Sequence, residues 1–106
     1  MKRIQGQVRQ GDVLIDPTTI PAGAKRIHSQ QAIVLAYGEV TGHKHQIVDI
    51  ERVALYELGD RKFLVIDGEA VEVRHEEHGA VPITKKDNEV IIQEEYRYGA
   101  SSRVID

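Results

Sequence analysis

Short apolar runs, each closed by a turn signal, limit what this chain can fold into. The longest, Ala32-Ile33-Val34-Leu35-Ala36-Tyr37, has six residues and ends at Gly38. That is strand length rather than helix length. Val13-Leu14-Ile15 follows Gly11-Asp12 and stops at Asp16-Pro17, where proline lacks a donor and pushes its predecessor out of the helical region. Gln46–Ile50 reads as a further strand. Residues 50–58 carry two readings. Ile50, Val53, Ala54 and Leu58 fit helical spacing, with Asp49 as N-cap and Gly59 just past the end. The preferred reading is a hairpin, Val53–Leu58 against Phe63–Ile66, because a short glycine-containing loop separates two apolar runs. Asp67-Gly68 is the strongest turn dipeptide and is expected to fold Ala70–His75 back from Phe63–Ile66. Val81-Pro82-Ile83 reads as an edge piece, Lys85–Asn88 as a polar turn and Glu89–Tyr96 as the last strand.

Seven or eight short strands, with turns every eight to twelve residues, predict one all-β domain over residues 1–106. The expected architecture is a small antiparallel barrel or sandwich, with 1–7 and 99–106 as mobile ends. A chain of 106 residues buries roughly two-thirds of its unfolded surface, enough for one core. With no tryptophan and one phenylalanine, that core must be Val, Ile, Leu and Ala, which suits strands.

Charge and composition exclude several partners. Fourteen Lys and Arg against seventeen Asp and Glu give a net charge of −3, interspersed, with no basic stripe for nucleic acid. No apolar run approaches the ~20 residues that span a bilayer, so no membrane is expected. Met1-Lys2-Arg3-Ile4 leads into Gln5-Gly6-Gln7 rather than an apolar segment, unlike a signal peptide. The absence of cysteine fits a cytoplasmic protein. Sheet edges in so small a domain allow a homo-oligomer.

Four of the five histidines fall in two pairs: His43 and His45, then His75 and His78. With no cysteine, these imidazoles are the strongest ligands available to a borderline metal. Residues i and i+2 of a strand share a face, so His43 and His45 can converge on one point. By the same alternation His75 continues the inward row of Val71 and Val73. His78 is three residues further on and joins only if the chain turns at Glu76-Glu77, which Gly79 permits. Glu39 shares the parity of His43 if the strand runs unbroken through Gly42. Glu39 or Glu76 would then be the proton shuttle beside the metal, and Glu76 or Glu77 could orient a ligand from behind. The plain alternative is that these are solvated histidines on an exposed strand. His28 stands alone among polar residues and reads as a surface side chain.

The segment Gly38-x4-His43-x-His45-x5-Glu51-x7-Gly59 resembles the first signature of the cupin superfamily, with each spacing differing by about one residue. The Pro-x-Gly of the second cupin signature does not precede the later histidines, and Pro82 follows them. The resemblance covers about a fifth of the chain. It implies a small β-barrel with a divalent metal on His43, His45, Glu51 and either His75 or His78. Cupin-type oxygenase or isomerase chemistry would come with it.

Two functions are expected from different classes. One is a metalloenzyme, with zinc favoured and iron or manganese as alternatives, that activates water toward a small-molecule substrate by hydration or hydrolysis, including carbonic-anhydrase-type chemistry. The other is a non-catalytic module whose metal is structural or absent and whose sheet edge binds a protein partner.

Overall fold

The computed structural model describes residues 6–37 and 42–92. Among them are ten short strands, all paired antiparallel, and no α-helix. The all-β expectation holds, with more and shorter strands than the turn spacing suggested. In chain order they are β1 (Val8–Gln10), β2 (Val13–Pro17), β3 (Lys25–Ile27), β4 (Ile33–Tyr37) and β5 (Lys44–Ile47). After a 3-10 turn at Ile50–Arg52 come β6 (Val53–Leu58), β7 (Arg61–Ile66), β8 (Val71–Val73), β9 (Val81–Ile83) and β10 (Asp87–Ile92). No helix among the described residues is long and apolar enough to cross a membrane.

The strands form a sandwich rather than a closed barrel. One layer is a six-stranded sheet in the order β1-β2-β10-β7-β6-β3. The other is built from two ribbons, β4-β5 and β8-β9. Gln46 and Arg74 join the ribbons by reciprocal backbone bonds: Gln46 N–H donates to Arg74 O (2.9 Å) and Arg74 N–H to Gln46 O (2.8 Å). Between the layers lie Val13 and Ile15, Ile33 and Leu35, Ile47, Val53 and Leu55, Leu64 and Ile66, Val71 and Val73, Ile83 and Val90. Each set follows the alternation of its strand. Fully burying one such aliphatic side chain contributes about 1.5–3 kcal/mol, so this contact layer holds the two sheets together.

The hairpin reading of residues 50–58 is the correct one for 53–58. Val53 pairs with Ile66 and Leu58 with Arg61 across β6 and β7, and Gly59 takes φ +62° in the turn. The helical spacing survives only as the 3-10 turn. Asp67-Gly68 does not fold β8 back on β7. It carries the chain from the six-stranded sheet to the other layer, where β8 pairs with β9. Arg52 holds this crossing: Asp67 N–H donates to Arg52 O (2.8 Å) and Arg52 Nε to Asp67 O (3.2 Å). Asp87 and Asn88, read as turn, already belong to β10, opposite Val65 and Leu64. Asp16-Pro17 ends β2 as expected, with Asn88 opposite Pro17. Strands β1 and β3 were not evident from the sequence, since each has only three residues and β3 is wholly exposed.

Candidate metal centre

Both histidine pairs reach one place because of the Gln46–Arg74 joint. His45 precedes Gln46 on β5 and His75 follows Arg74 past the end of β8. A backbone bridge between their neighbours sets their rings side by side, tilted by 34°. The His45 and His75 centroids are 4.3 Å apart. His43, two residues back on the same face, brings its ring edge-on to His75 at 5.7 Å. A turn at Glu76-Glu77-His78, with Gly79 at φ +74°, returns His78 toward the cluster. Its ring lies 4.5 Å from His75 and 6.0 Å from His45. Two imidazoles sharing one ion at about 2.1 Å, with bond angles of about 90–110°, hold their centroids about 4.5–5.5 Å apart. The His75–His78 separation falls at the edge of that range, His45–His75 lies just below it, and His43–His75 and His45–His78 lie just above it.

The donor atoms of His43, His75 and Glu76 lie within 4.8 Å of one another. His45 and His78 stand beside this group by their ring contacts. The Glu76 carboxylate accepts the Lys44 N–H (2.9 Å). That bond, followed by one from its own backbone N–H, holds its pKa below the usual 4.5. Glu77 lies 3.6 Å from His43 Nδ1. Glu39 lies outside the described residues. Glu51, exposed on the 3-10 turn, is not in the group. His28 is exposed and joins no ring pair among the described residues.

Burial and hydrogen bonding set the state of each ring. His45 is 4% exposed. Desolvation lowers its pKa from 6.5 to about 4, helped by His75 and His78 and opposed by Asp12 and Glu76. His75 is also lowered, first by desolvation and then by His78. Both are neutral at pH 7, the form that binds metals. His75 Nδ1 accepts two backbone donors, Glu77 N–H (3.0 Å) and His78 N–H (3.3 Å). Its proton therefore sits on Nε2. His45 Nδ1 faces Gln10 Oε1 at 2.9 Å.

Gln10 was missed in the sequence. A lone glutamine between Arg9 and Gly11 carries no chemistry by itself. The only usable signal was its parity with Val8 ahead of the Gly11-Asp12 turn, which turns it inward.

A family model described as a domain of unknown function, DUF8820, matches residues 9–93. The chain belongs to this family. The matched span contains Gln10, both histidine pairs, Glu76 and Glu77, so the whole cluster lies within the family domain. Neither curated proteins nor solved structures gave a match.

Proposed function

We propose that this DUF8820 domain binds a divalent transition-metal ion between its two histidine-bearing segments. The carrying observation is the convergence of His43, His75 and Glu76, with donor atoms within 4.8 Å, beside the rings of His45 and His78. A mixed imidazole and carboxylate set without sulfur suits zinc, and also iron or manganese. The cupin-like spacing around His43 and His45 agrees with such a centre, although the layers form a sandwich.

An ion held here with an open position would lower the pKa of a bound water and supply hydroxide near neutral pH. The residues around it divide the other work. Glu76, kept ionised by the Lys44 N–H, serves as an anionic ligand rather than as a strong base. Glu77, 61% exposed at its side chain and next to His43, is the group best placed to pass protons to solvent. Hydration or hydrolysis of a small substrate is the chemistry this would support.

Equilibrium dialysis against zinc, followed by elemental analysis, tests the reading. About one equivalent should be retained. His43→Ala and His75→Ala should each weaken binding at least tenfold, and His28→Ala should leave it unchanged. Retention below a tenth of an equivalent, repeated with iron and manganese, would remove the metal reading altogether.

A further inference from the structure

We propose that Gln10 is a positioning residue whose amide fixes His45 as the Nδ1–H tautomer and so presents the Nε2 lone pair to the metal ion. This inference rests on the metal reading above.

The argument is one of donors and acceptors. Gln10 is 3% exposed, so its amide has no recourse to solvent. Its two N–H bonds are committed to main-chain carbonyls, Val73 O (2.9 Å) and Gly79 O. Carbonyls cannot donate, so turning the amide over would set its oxygen against two oxygens. Oε1 must therefore be the atom that faces His45 Nδ1. An amide oxygen has no proton to give, so the proton between them belongs to Nδ1. A neutral imidazole carries one proton, which leaves Nε2 bare. An unrestrained ring divides that proton between its nitrogens. Part of the population would then have to shift its proton before Nε2 could bind.

The same amide sets where the ligands stand. Val73 O is two residues before His75, and Gly79 O is one residue after His78. Gln10 reaches them across 63 and 69 residues of chain, and His45 across 35. One side chain on β1 thus pins both ends of the turn that carries His75 and His78, while also orienting His45. A ligand histidine that donates its other N–H to a fixed acceptor is the usual support of a metal site, and losing that acceptor lowers affinity by about 10–100-fold.

The test reads tautomer and affinity separately. In metal-free, 15N-labelled protein, His45 should show a protonated Nδ1 and a bare Nε2. Gln10→Met keeps the length and removes both functions; it should lose this pattern and bind Co2+ about 10–100-fold more weakly by visible absorption. Gln10→Glu still offers Nδ1 an acceptor but can donate to at most one of the two carbonyls, and only when protonated, so it should restore the tautomer pattern and only part of the affinity. A wild-type His45 with its proton on Nε2 overturns the proposal without any variant. So does Gln10→Met binding Co2+ as tightly as wild type. A wild-type protein that binds no metal would instead overturn the metal reading, and this role of Gln10 with it.

Discussion

Gly11 lies directly beneath His78: a β-carbon at Gly11 would stand 2.8 Å from His78 Nε2 and 3.3 Å from His45 Cε1. The turn that ends β1 is thus part of the floor under two of the four rings. Gly11→Ala meets two obstacles, the φ of +58° and the imidazole above. Gly59 has nearly the same φ, +62°, and nothing within 4 Å. Gly59→Ala should cost about 1–2 kcal/mol for its backbone alone. Gly11→Ala should cost more, about 2–3 kcal/mol, and should also weaken metal binding. Denaturant melts of both variants measure the difference. Equal losses would show that His78 does not rest on Gly11.

Metal-free protein should lose stability as it is acidified from pH 6.5 to about 4. Unfolded His45 titrates near 6.5 and native His45 near 4. Between those values the unfolded chain binds more protons, so acid favours unfolding. The full effect is present above pH 6.5 and is gone below about 4. After allowance for solvent screening it is worth about 2 kcal/mol. Urea midpoints measured in chelator across this range should fall, and His45→Leu should flatten most of the slope. His75 adds in the same direction.

Metal binding through His75 should break its two backbone hydrogen bonds. If the ion takes Nδ1, the acceptor is occupied. If it takes Nε2 of a neutral ring, the proton moves to Nδ1 and the lone pair is lost. Either route frees Glu77 N–H and His78 N–H. Their amide proton resonances should shift on zinc addition, ahead of any change at Asp67 or Ile66, whose N–H groups bond Arg52 O and Lys86 O. Unmoved Glu77 and His78 amides in a zinc-loaded protein would exclude His75 as a ligand.

The core beside the site should be sensitive one residue at a time. Ile47 is 0% exposed and its neighbour Val48 is 47% exposed. Ile47→Ala should cost about 2–5 kcal/mol through lost burial and the cavity left behind. Val48→Ala should stay within about 0.5 kcal/mol. Thermal or denaturant unfolding of the pair checks whether β5 holds the register that puts His45 inward.

Strand alternation and turn chemistry made much of the cluster legible. Val71, Val73 and His75 share a parity; the two valines are buried and His75 is half-buried, its ring 4.3 Å from that of the buried His45. The turn required at Glu76-Glu77 for His78 is present. Asp67-Gly68 misled because a turn dipeptide specifies a local reversal, not which layer the chain enters next. That choice belongs to Arg52, fifteen residues away. Gln10 was invisible for a related reason: its three partners are distant in sequence, and an amide acquires meaning only from what surrounds it. Three-residue edge strands such as β3 bury nothing and leave no hydrophobic period to read.

The Gln46–Arg74 joint has a consequence for which changes the site can absorb. The span between the two histidine pairs is gauged by main chain, so neither side chain at the joint takes part in setting it. Gln46→Ala and Arg74→Ala should leave that gauge intact. Proline at either position removes one donor of the reciprocal pair and would let the two ribbons part like an unlatched clasp, carrying His45 away from His75 with every imidazole still in place on its own strand.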